Sequence, residues 1–193
     1  MITSPTPSVG KSFVSSNLAA VIAQTGQRVQ LIDGDMRRGY LHTLFGMTPR
    51  NGLSDALAGG LDLAAIINRT ELKNLHFISA GFSAPNPSEL LMHENFSRLL
   101  KEAEKLYDFI IIDTPPVLAV TDAVLVAQQA GTNLLVARFG LSTGSQIDAS
   151  KRRLAQNGVL LKGVILNAVK RKASTSPYDS GAYGYYTYTT QKA

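Results

Sequence analysis

The tightest constraint on this chain is an eight-residue stretch, Pro5-Thr6-Pro7-Ser8-Val9-Gly10-Lys11-Ser12, which runs straight into Phe13-Val14-Ser15-Ser16-Asn17-Leu18-Ala19-Ala20. Gly10 lets backbone approach an anion, Lys11 offers an ammonium to phosphate oxygens, and Ser12 supplies a hydroxyl suited to Mg²⁺. The helical pattern that follows adds free N–H groups and the positive end of a helix dipole. These features read as a phosphate-binding loop, formed by Ser8, Val9, Gly10, Lys11, Ser12 and Phe13, between a strand and a helix. One position departs from the usual pattern, because Pro5 stands where the opening glycine belongs. A loop of this kind needs a sheet behind it.

The rest of the chain supplies one. Residues 11–25 place Val14, Leu18, Val21 and Ile22 on one helical face, and Gly26 stops that helix. A strand over Arg28–Ile32 ends at Asp33-Gly34-Asp35-Met36-Arg37-Arg38. Short helices are expected around 39–45 and 53–58, and a strand over Leu75–Ile78. Ser88 is expected to cap a helix whose buried stripe is Leu91 or Met92, Phe96, Leu99, Ala103 and Leu106. Phe109–Ile112 is a continuous apolar run, as for a strand covered on both faces, and it stops at Asp113-Thr114-Pro115-Pro116. Helices near 120–130 and 143–157 then alternate with strands over 133–138 and 160–167.

The alternation predicts an α/β fold with a mainly parallel β-sheet and helices on both faces, and the phosphate loop makes it resemble a P-loop NTPase. Ligands in such sheets gather at the carboxyl ends of the strands. The loop and the carboxylates of Asp33, Asp35 and Asp113 all follow strand ends, so they can share one edge. Met1–Ser4 is short for a strand that belongs in mid-sheet, so a longer N-terminal part is expected.

Composition narrows the function. The chain has 193 residues, 45% hydrophobic, which fits a domain over 1–172 with a sizeable core and a flexible tail over 173–193. With no cysteine, disulfides and thiolate metal sites are excluded. Residues 1–150 carry 11 Lys/Arg against 13 Asp/Glu, whereas residues 151–193 carry 8 against 1. No recognisable nucleic-acid module accompanies that basic end, so nucleic acid is not an expected partner. The tail holds Tyr178, Tyr183, Tyr185, Tyr186 and Tyr188, five of the seven tyrosines, among Gly, Ser and Thr.

Phosphoryl transfer requires a placed phosphate, charge neutralisation and an oriented nucleophile. Lys11 meets the charge requirement, and Ser12 with Asp113 is suited to Mg²⁺, which needs only one or two carboxylates because it keeps several waters. Asp33 and Asp35 add carboxylates at a neighbouring strand end.

These residues resemble the catalytic domain of bacterial protein-tyrosine kinases (BY-kinases). The resemblance rests on the Walker A-like Pro5–Ser12, the Walker A′ Leu31-Ile32-Asp33-Gly34-Asp35-Met36-Arg37, the Walker B Ile110–Pro116 and the terminal tyrosines; Pro85–Leu91 also resembles a family segment. It implies an ATP- and Mg²⁺-dependent autokinase at the cytoplasmic face of the inner membrane. A membrane-embedded activator, fused or separate, would link it to capsular or exopolysaccharide synthesis and export. It also implies that Lys11 and the loop N–H groups hold phosphates, Ser12 and Asp113 serve Mg²⁺ with Asp35 assisting, and Asp33 orients or deprotonates the incoming tyrosine. The five tail tyrosines become acceptors, reached between subunits of a ring-shaped homo-oligomer.

A ParA/MinD-type ATPase switch is the competing reading. Its loop carries a second lysine where this chain has Thr6. A nucleotide-sensing adaptor that binds a membrane partner through the basic end is a third. Arg37 and Arg38 suit either phosphate or a neighbouring subunit, or simply solvent. Glu89 suits helix capping or a subunit contact, and Asn167 stands where a strand end can meet the base. His42, His76 and His93 have no metal-site spacing and are expected to be structural.

Overall fold

The structure is a computed structural model that describes residues 1–82 and 84–170. The tail with its five tyrosines lies outside the described residues. Seven strands form one sheet: β1 (Ile2–Thr3), β2 (Val29–Asp33), β3 (Asn68–Arg69), β4 (Leu75–Ile78), β5 (Phe109–Asp113), β6 (Leu134–Arg138) and β7 (Gly163–Asn167). Their order is β3-β4-β2-β5-β1-β6-β7, parallel throughout except for the antiparallel edge pair β3–β4. Helices α1 (Lys11–Gln24), α2 (Leu41–Leu44), α3 (Leu53–Leu57), α4 (Leu63–Ile66), α5 (Pro87–Met92), α6 (Glu94–Leu106), α7 (Asp122–Gln129) and α8 (Gly144–Ala155) complete the element order.

Strand alternation divides the core in two. Val29, Leu31, Phe77, Ile111 and Val136 join Ala19 and Ala23 of α1 on one face. Ile32, Ile78, Ile112 and Leu135 meet α3, α6, α7 and α8 on the other through Leu57, Phe96, Ala127 and Leu154. Register then fixes the site. Asp33 lies level with Asp113 across β2 and β5, and Ile2 pairs with both Asp113 and Leu134. The loop and both strand-end carboxylates therefore reach one edge of the sheet.

Several local expectations change. In α1 the face against the sheet is Lys11, Ser15, Ala19 and Ala23, spaced one turn apart, while Val21 is 58% exposed. Small residues let this helix lie close to the strands, so its larger apolar residues Val14, Leu18 and Ile22 move to the flanks, where they are half-buried. The single helix expected after Ser88 is two. His93 adopts an extended conformation (φ −70°, ψ 147°) that ends α5, and its ring Nδ1 accepts the Asn95 N–H to cap α6. Met92 and Leu106 are consequently exposed, whereas Leu91, Phe96, Leu99 and Ala103 are buried.

Ser88 caps nothing. Asn86 precedes the helix, Pro87 opens it, and the Ser88 hydroxyl goes to Asp122. β5 is not covered along its whole length, since Phe109 at its start is 45% exposed. The strand expected over 160–167 begins only at Gly163.

Candidate functional site

The loop between β1 and α1 is held in shape by two left-handed residues, Ser8 (φ 63°) and Gly10 (φ 87°). Alternating handedness of this sort curls successive N–H groups around an anion. Gly10 is required twice over. Its φ disfavours a side chain, and a Cβ there would run into Nδ2 of Asn167. That amide donates to the Val9 carbonyl (3.0 Å), while Nη1 of Arg138 donates to the Ser8 carbonyl (3.1 Å). Strand ends β6 and β7 thus brace the loop from the side. The Phe13 ring is 64% exposed, so its backbone is what it contributes to the cradle.

Behind the loop, four side chains converge. Asp113 is 1% exposed and pairs with the Lys11 ammonium through Oδ2. Ser12 Oγ donates to the same oxygen (2.8 Å), and Ser15 Oγ donates to Oδ1 (2.7 Å). Ser15 escaped the sequence reading, although its position one helical turn after Lys11 was the available signal.

Asp33 is equally buried, accepting the N–H of Asp35 (3.1 Å) on Oδ1 and of Leu41 (3.0 Å) on Oδ2. Burial, and after it the negative charge of Asp113, push its carboxyl up to about 7. Asp35 does not join this group. Its Oδ1 accepts the N–H groups of Arg37 (3.3 Å) and Arg38 (3.1 Å), closing a turn beyond β2. Among the described residues no three His, Asp or Glu side chains converge as a metal cluster. The Ser12–Asp113 pair nonetheless fits Mg²⁺, because two hard oxygens 2.8 Å apart, beside a phosphate cradle, leave the remaining positions to water and phosphate.

The other candidate residues separate clearly. Arg37 is paired within the chain although 39% of its side chain stays exposed. Its guanidinium grips the fully buried Asp122 through two bonds (2.7 and 3.0 Å), a partner 85 residues away that the sequence did not reveal. Arg38 is exposed. Glu89 accepts from Asn86 (3.1 Å) in the first turn of α5, His76 Nδ1 bonds Tyr107 (2.8 Å), and Asn167 is spent on the loop.

A family model described as an AAA domain matches residues 6–137. The chain is 50% identical over 191 residues to the tyrosine-protein kinase wzc of Salmonella typhimurium, covering 99% of this chain and 26% of that protein. It is 51% identical over 176 residues to the tyrosine-protein kinase etk of Escherichia coli K12, covering 91% and 24%. It therefore spans about a quarter of the length of these relatives. The solved kinase domain of Escherichia coli ETK superposes with a TM-score of 0.87 at 50% identity, over 96% of this chain and 71% of that one. The MinD protein of Pyrococcus horikoshii, solved with Mg-ADP, superposes at 0.72 with 26% identity, over 86% and 68%. A phosphate loop braced by two strand ends, an aspartate pair at one sheet edge and half-identity with a kinase domain agree: this chain belongs to the AAA-domain P-loop proteins and, within them, to the bacterial protein-tyrosine kinase family.

Proposed function

We propose that this chain is an ATP-dependent protein-tyrosine kinase domain that phosphorylates the tyrosines of its own C-terminal cluster. The observation that carries this reading is the convergence of Lys11, Ser12 and Ser15 on Asp113, level with Asp33 at the mouth of the loop. In the reaction, the bond from the γ-phosphorus to the ADP oxygen breaks and a bond from that phosphorus to a phenolic oxygen forms. The phenolic proton leaves to Asp33 or to water.

Lys11 and the N–H groups of Ser8–Phe13 hold the phosphates, and Asp33 orients the incoming hydroxyl. Mg²⁺, held by Ser12 and Asp113 with Asp35 assisting, would neutralise charge on the phosphate oxygens. Burial of Asp33, Asp113 and Lys11 keeps their interactions away from competing water.

The acceptors are Tyr178, Tyr183, Tyr185, Tyr186 and Tyr188. Residues 173–186 extend at most about 45 Å, against a radius of gyration of roughly 16 Å for a domain this size. Transfer to a neighbouring subunit in a homo-oligomer is thus within reach. Each phosphate adds about −1.5 to −2 charge, so several would reverse the basic end and drive adjacent tails apart. No described helix is long and apolar enough to cross a membrane. The domain works at the cytoplasmic face of the inner membrane beside a membrane-embedded activator, and its output is control of capsular or exopolysaccharide synthesis and export. The names of the wzc and etk relatives support the kinase part of this reading.

The test is to incubate the purified chain with ATP–Mg²⁺, with and without the activator segment, and map phosphotyrosine by mass spectrometry. Tail phosphotyrosine that vanishes in Lys11→Met is the expected result. Phosphate release without protein modification would replace the kinase with an ATPase switch.

A further inference from the structure

The turn that carries Asp33 and Asp35 is tied to the body of the protein by the Gly34 N–H on the Asp113 carbonyl (2.7 Å), by the buried Met36 side chain, and beyond it by the Arg37 guanidinium. Asp35 accepts the N–H groups of Arg37 and Arg38 on its carboxylate, and those of Arg38 (3.2 Å) and Gly39 (2.6 Å) on its carbonyl. The position of Asp35 is therefore set by where residues 37–39 are held. Met36 anchors their start in the core, and Arg37 fixes them from the outer side through its bidentate grip on Asp122 at the start of α7.

Asp122 is fully buried, so its charge needs that partner and more. The remainder comes from Ser88, whose hydroxyl donates to Asp122 Oδ1 at 2.6 Å and also lies 3.4 Å from Arg37 Nη2 and from Thr121 Oγ1. Burial pushes the Asp122 carboxyl up, but the bonds from Arg37 and Ser88 outweigh it and hold the group below its ordinary value. Three segments distant in sequence thus meet at one carboxylate: the turn after β2, α5 and α7.

We propose that Arg37 is a positioning residue for the turn that presents Asp35 beside the Ser12–Asp113 pair's sheet edge, locked by Asp122 and Ser88, and that the segment Pro85–Leu91 serves this lock. The inference rests on the kinase-site reading above. A planar fork engaging both carboxylate oxygens fixes direction as well as distance, which a lysine ammonium at the same place does not. Arg38, one residue on, enters the turn through its backbone N–H alone.

The experiment titrates a fluorescent ADP analogue into the purified chain, in excess MgCl₂ and in EDTA. Wild type is compared with Arg37→Lys, Arg37→Met, Ser88→Ala and the double variant Arg37→Met/Asp122→Asn, each checked for native far-UV circular dichroism. Wild type gives tighter binding in MgCl₂ than in EDTA. Arg37→Met and Arg37→Lys lose about tenfold of that Mg²⁺-dependent gain, the low end for losing an outer partner of a metal ligand, with affinity in EDTA unchanged. Ser88→Ala loses a smaller part, and the double variant is no worse than Arg37→Met because the lock is already open. A full Mg²⁺-dependent gain in folded Arg37→Lys and Ser88→Ala overturns the inference and leaves the kinase-site reading intact. Equal losses in MgCl₂ and EDTA overturn it as well, since they mark a general structural role. Absence of any Mg²⁺-dependent gain in wild type overturns the site reading, and the inference with it.

Discussion

Replacing Asp33 by asparagine should change stability in opposite directions at low and high pH. The carboxyl is 1% exposed and is pushed from 3.8 up to about 7 by burial and by the charge of Asp113. The folded chain therefore binds this proton more tightly than the unfolded chain, and ionisation opposes folding. The stability tied to the protonated group is fully present below about pH 4 and is lost as pH rises through about 7. At about 1.4 kcal/mol per pH unit over some three units, the loss reaches about 4 kcal/mol.

Asparagine does not ionise and escapes that loss. It does forfeit one of two backbone contacts, because an amide nitrogen facing the N–H of Asp35 or Leu41 cannot accept it, at a cost of about 1–2 kcal/mol. Asp33→Asn should thus be less stable than wild type at pH 4, equal near pH 5, and more stable by roughly 2–3 kcal/mol at pH 8. Urea unfolding without nucleotide, in EDTA, across pH 4–8 measures this directly, with equal m-values as the check that the unfolded states match. A stability difference that stays flat across that range would refute the reasoning.

Other perturbations have simpler expectations. Phe96→Ala empties a fully buried position on α6 and should cost about 3–5 kcal/mol in urea unfolding. Gly10→Ala meets both a positive φ and the Asn167 amide, so it should cost at least about 1–2 kcal/mol and weaken nucleotide binding; adding Asn167→Ala should recover part of the stability loss, leaving the φ strain. Arg28 holds the exposed Asp108 carboxyl down at about 2, so that contact supports the fold above the ordinary value of 3.8 and fades as pH falls through 2. Asp108→Asn should accordingly move the acid-unfolding midpoint, followed by circular dichroism, to higher pH.

Much of the site was legible because its chemistry is local. Gly10-Lys11-Ser12 is contiguous, and Asp33 and Asp113 each stand at the end of a strand, so parallel pairing in register brings them level. What stayed hidden was long-range or brief. Asp122 and Arg37 are 85 residues apart with no pattern joining them. α4 and β3 span four and two residues, too short for periodicity to register, and β3 owes its place to antiparallel pairing with β4. The α1 stripe was misread because the residues that meet the sheet are serine and alanine, which a search for large apolar residues passes over. The break at His93 left the apolar spacing of Phe96, Leu99 and Ala103 undisturbed, so only backbone dihedrals reveal it.

The bracing of the loop by Arg138 and Asn167 makes the phosphate cradle and the far edge of the sheet one thermodynamic unit. A ligand that stiffens Ser8 and Val9 must, by reciprocity, protect the carboxyl ends of β6 and β7, and anything that loosens β7 must weaken the ligand by the same factor. β7 is the strand from which the chain continues toward the tyrosines, with Asn167 eleven residues before Tyr178. Occupancy of the cradle is therefore read out at the last strand of the sheet, and amide exchange along Gly163–Asn167 becomes a gauge of whether the cradle is filled.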